Sequence, residues 1–250
     1  VGPRDWASLY QQEPVEEEGA FFRKEWIQED PYDKGDLFQE FTTGQRPLHI
    51  YGASDYAVTD GGGDYTVHVV CGVDSEDTIY VLDVWREQAA SDVWVEQVCD
   101  MMSKWKPLMW AEETGQINKS IGPYLVKRMK ERRVYCRREQ FPSVADKPTR
   151  ARAIQARMSM GKVRFPKHAS WLEPLVYEMT RFPTGLHDDQ VDTIGLIGRI
   201  LDSMFAAHPL PEQENNEVVL TPTTYGDIRK NHKQRRKYGR GRLREAIVVG

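Results

Sequence analysis

The apolar residues in the first half of the chain form three short runs with the character of β-strands. These runs, at 48–58, 65–73 and 78–85, are rich in β-branched and aromatic residues. The segments between them, 60–64 and 74–77, consist of glycine and acidic or small polar residues, which favour tight turns. Three strands joined by short turns predict an antiparallel meander.

The apolar spacing then changes to an alternation of helices and strands. Apolar positions recur at helical spacing from Ser91 to Trp105, and the short apolar run at 108–111 predicts a buried strand. A helix at 122–133 and a fifth strand at 134–141 follow. This order implies parallel strands joined by right-handed crossovers. The pattern therefore predicts an α/β fold with a mixed five-stranded sheet, three antiparallel strands and then parallel strands, flanked by helices.

Three more helices are predicted in the second half of the chain. The first, at 146–160, is basic, and we expect Arg150, Arg152 and Arg157 to face outward from it. A short strand-like segment follows at 162–165. The helix at 170–181 has the apolar spacing of a packing element. The last helix begins near Asp188 and completes the domain near Ala207.

Acidic residues end two of the predicted strands and begin the last helix: Asp55, then Glu112 and Glu113, then Asp188, Asp189 and Asp192. Adjacent strand residues point to opposite faces, so only one of the two glutamates can face a given site. Residues three or four apart on a helix share a face, so Asp188 or Asp189 lies beside Asp192. Taken singly, these acids are also typical of a strand-end turn and of a capped helix with an acidic first turn.

Together the acids predict a metal site. The carboxyl ends of neighbouring strands in an open α/β sheet converge on one crevice. Hard divalent cations prefer oxygen ligands, and two such ions can hold the attacking and leaving oxygens of a phosphodiester displacement. Carboxylates that lie together also repel one another, which raises at least one pKa. The layout is that of the ribonuclease H-like nuclease fold.

The charge distribution limits how the chain can meet nucleic acid. The 250 residues carry 34 Lys and Arg against 38 Asp and Glu, a net charge of −4. Residues 229–250 hold nine of the basic residues and one acid, which leaves 25 basic and 37 acidic residues, a balance of −12, in 1–228. Such an acidic body repels DNA, so contact requires a bound cation, the basic tail or a local basic patch. Lys147, Arg150 and Arg152 are the candidates for DNA contact.

Several function classes lack their signatures in this sequence. No GxxxxGK[ST] phosphate loop occurs, so the chain has no nucleotide-triphosphatase motif. No apolar run approaches the roughly 18 residues needed to cross a bilayer, and the first residues contain no signal-peptide core. The three cysteines are widely spaced, which favours reduced core thiols over a zinc site.

Four segments resemble the nuclease domain of bacteriophage large terminase subunits: 54–66 (SDYAVTDGGGDYT), 105–117 (WKPLMWAEETGQI), 146–158 (DKPTRARAIQARM) and 182–202 (FPTGLHDDQVDTIGLIGRILD). The resemblance implies metal-dependent endonucleolytic cutting of double-stranded concatemeric DNA, with two Mg²⁺ or Mn²⁺ ions and little sequence preference. It also implies double-stranded DNA, the portal protein, the small terminase subunit and a terminase ATPase domain as partners, in the host bacterial cytoplasm.

The resemblance assigns roles to the acids. Asp55 matches the first acid of the family. The second matches Glu112 or Glu113, with Glu112 preferred because it directly follows the apolar strand. The third matches Asp189 in preference to Asp188. Asp192 is either an outer ligand or a group that supports the ligands.

The resemblance also predicts the domain organisation. Segment 5–26 resembles the stretch by which terminases leave their ATPase domain, so we expect 1–47 to be a linker from that domain, which is absent here. We expect a nuclease domain at 48–207, and a linker with a flexible basic tail at 208–250. Two alternatives remain: another ribonuclease H-like enzyme, such as a junction resolvase or transposase, and a non-catalytic module that docks DNA or the portal.

Overall fold

A computed structural model of the chain describes residues 20–57, 63–142 and 146–201, with the side chains of 116–118 excepted. Within these ranges, one sheet contains β1 (His49–Asp55), β2 (Thr66–Val73), β3 (Ile79–Glu87), β4 (Met109–Thr114), β5 (Arg137–Pro142) and β6 (Val163–Arg164). The strand order is β5-β4-β1-β2-β3-β6. The predictions for the tail, for the end of the last helix and for most of the 60–64 turn lie outside the described residues.

The helices cover both faces of this sheet. They are α1 (Lys24–Gln28), α2 (Lys34–Thr43), α3 (Ser91–Trp105), α4 (Gln116–Glu131), α5 (Lys147–Ser159), α6 (Leu172–Arg181) and α7 (Asp189–Arg199). Apolar side chains of α1, α5, α6 and α7 form a core against one face, and those of α2, α3 and α4 form a second core against the other. No helix in the described ranges has the length and apolar character needed to cross a membrane.

The predicted fold class is confirmed. Strands β1, β2 and β3 pair antiparallel, and β4 and β5 continue the sheet in parallel from β1. The expected count of five strands is one short, because the strand-like segment near 163 pairs in parallel with β3 as β6. That strand has only two residues, too few to show a period-two pattern in the sequence.

The register between β1 and β4 positions the acids. Side chains alternate along each strand, so Tyr51 and Ala53 pack in the core that the sheet forms with α7, whereas Ser54 faces α3. Ser54 pairs with Glu112 in the parallel register. Gly52 makes room for the Trp110 indole on the α3 face, because a Cβ there would overlap that ring.

Candidate active site

Asp55 and Glu113 lie on the same face of the sheet at the carboxyl ends of neighbouring strands. Asp55 is the last residue of β1 and shares its face with Ala53, and Glu113 shares its face of β4 with Ala111. Burial, followed by the charges of Glu113, Asp192 and Asp189, raises the pKa of Asp55 to about 8. The crevice predicted from the strand order therefore does bring these two carboxylates together.

Helix α7 brings Asp189 and Asp192 into the same crevice. The backbone N–H of Tyr65 donates a hydrogen bond to Asp189 Oδ2 at 3.2 Å. Asp192 lies almost one turn further along the helix, and burial raises its pKa to about 6 against the opposing effect of Arg150. Burial also raises the pKa of Asp189. All three of these pKa shifts have desolvation as their largest cause, which is expected for carboxylates crowded in a cleft.

Arg150 lies among the acid cluster formed by Asp55, Glu113, Asp189 and Asp192. Its guanidinium donates hydrogen bonds to Glu113 and, at 3.2 Å, to both carboxylate oxygens of Asp192, and its side chain is only 10% exposed. The expectation that Arg150 faces outward is therefore wrong. Helix α5 packs closely along α7, so this position of α5 faces the acids rather than solvent.

The other two basic candidates on α5 occupy different surroundings. Lys147 Nζ is 2.7 Å from both oxygens of Asp188 and 3.8 Å from Asp192. Arg152 is exposed, as predicted, with its guanidinium 5.3 Å from the ring centroid of Phe21. Lys147 thus belongs to the rim of the acid cluster, whereas Arg152 lies on the outer surface of the helix.

Glu112 lies on the opposite face of β4 and is fully buried. Arg138 donates to its two oxygens at 2.9 Å and 2.6 Å, and the Tyr56 hydroxyl donates at 2.7 Å. Burial and the Glu112 carboxylate raise the pKa of Tyr56 well above its usual value, which keeps this donor protonated. Because Glu112 points away from Asp55, the geometry favours Glu113 as the partner of Asp55, contrary to our preference from the sequence.

The amino end of α7 is capped by a residue that the sequence did not single out. Among the described residues, Asp188 makes no capping hydrogen bond although it occupies the N-cap position. The cap comes from Glu178 on α6, whose carboxylate accepts from the backbone N–H of Gln190 at 2.5 Å and of Val191 at 3.2 Å. The available signal was one acid between the apolar Leu175 and Met179 on a helix that we interpreted as packing alone.

Two further residues beside the acid cluster were also missed. One ligand atom each from Asp64, His187 and Asp189 lie within 4.8 Å of one another. The His187 ring meets the Tyr65 ring edge-on at 5.2 Å. His187 directly precedes the Asp188–Asp189 pair, and this adjacency was the only signal in the sequence.

The acid cluster is suited to a divalent cation. Its donors are all carboxylate oxygens, which hard cations prefer. The raised pKa values of Asp55, Asp189 and Asp192 favour protonation of these carboxyls in the folded chain, and a cation can displace such protons. Four acids with one guanidinium among them leave an excess of negative charge, so the residues present fit such an ion.

Comparisons with known proteins agree with this fold. A family model described as the terminase RNase H-like domain matches residues 52–197, which include every acid discussed above. The nuclease domain of the large terminase subunit of bacterial virus Sf6 is 10% identical over 76% of this chain and 100% of its own, with a TM-score of 0.52. The human cytomegalovirus terminase nuclease domain is 10% identical over 71% of this chain and 92% of its own, with a TM-score of 0.51.

One mutant Sf6 nuclease domain, solved with manganese and beta-thujaplicinol, is 11% identical over 76% of this chain and 100% of its own, with a TM-score of 0.50. At such low identities these likenesses show the fold. No curated protein sequence matches the chain.

Proposed function

The chain belongs to the family of terminase RNase H-like domains, and we propose that it is a metal-dependent endonuclease that cuts double-stranded concatemeric viral DNA during genome packaging. The resemblance found in the sequence is thereby confirmed at the level of the family. The observation that carries the proposal is the acid cluster, which joins two strand ends to the start of α7. This family membership also argues against a junction resolvase or a transposase.

We propose that two divalent ions, Mg²⁺ or Mn²⁺, bind the acid cluster. Asp55, Glu113 and Asp189 would hold them, with Asp192 as an outer ligand and Asp188 at the rim. When bound, such ions polarise the phosphoryl group and stabilise charge on the attacking and leaving oxygens. The all-oxygen donor set supports this choice, as do the manganese and calcium named in solved structures of the Sf6 nuclease domain.

The residues of the chain prepare the site in three ways. Asp55 holds a proton near neutral pH in the absence of cations, because its pKa is about 8, and it must release that proton to act as a ligand. The Tyr65 N–H holds Asp189 in one orientation. Arg150 balances the negative charge of Glu113 and Asp192. These contacts preorganise the carboxylates before cations bind.

We propose that basic residues on α5 contact the DNA phosphates. Arg152 is exposed and can reach a phosphate without breaking an ion pair with an acid of the cluster. Lys147 and Arg150 pair with acids in this structure, so their phosphate contacts require cations to neutralise those acids first. DNA binding and metal binding are then coupled through α5.

The family context supplies the remaining proposals. The natural partners are double-stranded DNA, a terminase ATPase domain, the portal protein and the small terminase subunit. The site of action is the host bacterial cytoplasm during phage assembly. Translocation would depend on the ATPase domain, because the sequence has no phosphate-loop motif of its own.

The proposal is tested by conversion of supercoiled plasmid with Mn²⁺, Mg²⁺ or EDTA. We expect nicked and linear products with either metal, none with EDTA, and none from Asp55→Ala. Asp36→Ala is the matched control, because Asp36 is an exposed acid on α2. A folded chain that retains DNA but cuts it under no metal condition would contradict the enzyme and favour the docking module.

A further inference from the structure

Glu178 is a buried carboxylate on α6 that binds the amino end of α7. It is 4% exposed. Its Oε1 accepts the backbone N–H groups of Gln190 and Val191, and its Oε2 accepts the side-chain amide of Gln190 at 2.7 Å. The first N–H groups of a helix have no partner within the helix, so a carboxylate from a neighbouring helix can satisfy them. Glu178 therefore fixes α7 to α6 at the helix end that carries the acids.

This cap leaves the aspartates of α7 available for other contacts. The side chain of an Asp at the N-cap ordinarily accepts hydrogen bonds from the N–H groups of the first turn. Here Glu178 takes that role, while Asp188 bonds Lys147 and Asp189 accepts from Tyr65. The carboxylates of α7 therefore point into the crevice instead of back onto their own helix.

A second connection joins Glu178 to Asp189 through β3. The Nε atom of Arg86 lies 3.6 Å from Glu178 Oε2, and its guanidinium lies 3.4 Å from the ring centroid of Tyr65. Tyr65 in turn donates its backbone N–H to Asp189. Glu178 and Asp189 are thus linked both along α7 and through Arg86 and Tyr65. Both connections restrict where the Asp189 carboxylate can lie.

We propose that Glu178 is a positioning residue that holds the α7 carboxylates in the geometry needed to bind divalent cations. The inference rests on the proposed function, and Glu178 itself is not a ligand. Groups that orient metal ligands typically contribute about 10- to 100-fold to metal affinity. Loss of the Glu178 cap then weakens cation binding beyond what a general loss of stability would cause.

The test compares Glu178→Ala and Glu178→Gln with Leu175→Ala. Leu175 is fully buried one turn earlier on α6, and it makes no hydrogen bond to α7 among the described residues, so its truncation destabilises the fold without removing the cap. Binding of Mn²⁺ is measured from the electron paramagnetic resonance signal of the free ion, at a temperature where every variant is folded. Amide hydrogen exchange at Gln190 and Val191 is measured in EDTA.

We expect Glu178→Ala to weaken Mn²⁺ binding by about 10-fold or more and to speed exchange selectively at those two amides. Glu178→Gln keeps one acceptor oxygen and should restore part of the affinity. Leu175→Ala should bind Mn²⁺ within about twofold of the parent chain. Equal losses in Glu178→Ala and Leu175→Ala would overturn the positioning role.

The same measurement separates the two proposals. A parent chain that binds no Mn²⁺ would contradict the proposed function and this inference with it. A parent chain that binds Mn²⁺, with both Glu178 variants binding it equally well, would overturn the positioning role alone.

Discussion

The two faces of β4 hold adjacent glutamates in different electrostatic surroundings. On the α3 face, Glu112 is fully buried, and two hydrogen bonds from Arg138 and one from Tyr56 satisfy its oxygens. On the α7 face, the Glu113 side chain is 23% exposed and shares its guanidinium partner with another acid. On the α3 face, the charge of Glu112 is matched by Arg138. On the α7 face, acidic groups outnumber basic ones.

The imbalance on the α7 face is visible in the pKa values. The pKa of Asp55 is raised to about 8 and that of Asp192 to about 6. Burial is the largest cause of both shifts, and the charges of neighbouring acids add to them. Arg150 is one guanidinium among Glu113, Asp192 and Asp55, so it cannot neutralise all of them. Perturbed carboxylates in a cleft are typical of functional sites, whereas a matched buried pair is typical of structure.

The comparison shows that burial alone does not identify the functional glutamate. Glu112 is the more buried of the two and directly follows the apolar run of β4, yet its charge is already matched by Arg138. Glu113 is less buried, and its surroundings are the ones that a cation would complete. We therefore expect the two residues to differ in what their removal costs: stability for Glu112 and cleavage for Glu113.

The largest expected effect is a loss of stability in Glu112→Ala. This change leaves Arg138, whose side chain is 15% exposed, without its carboxylate partner. Breaking a buried ion pair by removing one partner typically costs about 3–5 kcal/mol. Urea unfolding monitored by circular dichroism measures the loss. The double variant Glu112→Ala/Arg138→Met should recover part of it, and a double variant no more stable than Glu112→Ala would contradict this account.

The second effect is a loss of cleavage in Glu113→Gln. Removal of a proposed ligand should slow metal-dependent nicking by more than about 100-fold, beyond the range typical of supporting residues. Plasmid nicking at fixed Mn²⁺ measures the rate, and circular dichroism gives the folded fraction. Glu112→Gln is the matched control, which should keep its rate per folded molecule within about tenfold of the parent chain. The reverse ranking of the two variants would restore Glu112 as the ligand.

The sequence predicted the sheet because its signals are local. Apolar runs rich in β-branched and aromatic residues predicted β1, β2 and β3, and the acids at strand ends followed from the topology. The choice between Glu112 and Glu113 depended on the register of β4 against β1, which pairs Ser54 with Glu112. Side chains two residues apart on a strand share a face. Once the register is known, Ala53 and Ala111 therefore show which face each following acid occupies. The register cannot be read from a single sequence, so the preference for Glu112 was made without it, and the geometry favours Glu113 instead.

Contacts between helices were predicted less well for a related reason. The position of Arg150 depends on how α5 packs on α7, and the cap by Glu178 depends on how α6 meets the same helix. Helical periodicity predicts which face of each helix is apolar, but not which neighbour that face meets. Arg150 lies 37 residues from Glu113 and Glu178 lies 12 residues from Gln190, and only the packing of the helices brings these groups into contact.

The third effect is a smaller loss of stability in Arg150→Ala without metal. A hydrogen bond to a charged group contributes about 1.5–3 kcal/mol, and the acids left behind can take up protons, so we expect a loss near the lower end. Saturating Mn²⁺ should restore part of the loss, because the cation replaces the guanidinium charge. Thermal unfolding with EDTA and with Mn²⁺ measures both. Arg152→Ala is the control, with a change within about 0.5 kcal/mol.

A loss in Arg150→Ala that Mn²⁺ does not reduce would mean that the guanidinium serves packing rather than charge balance. In that case the negative charge on the α7 face would be less important than the comparison with Glu112 implies.

The fourth effect is a pH dependence that Asp55 gives to the Glu113 face. The pKa of Asp55 is about 8 in the folded chain and near its ordinary value of about 4 in the unfolded chain, so the folded state binds the extra proton between these values. Its contribution to the free energy of unfolding is therefore present at low pH and falls as the pH rises from about 4 to about 8. One proton gives a slope of at most about 1.4 kcal/mol per pH unit.

Urea unfolding in EDTA across this pH range measures the slope for the parent chain and for Asp55→Asn. The variant cannot ionise at position 55, so its stability should fall less steeply with pH. Saturating Mg²⁺ should flatten the parent curve as well, because a bound cation replaces the proton and stabilises the ionised carboxylates. Identical slopes in the two chains would mean that Asp55 ionises normally, and the contrast between the two faces of β4 would then rest on geometry alone.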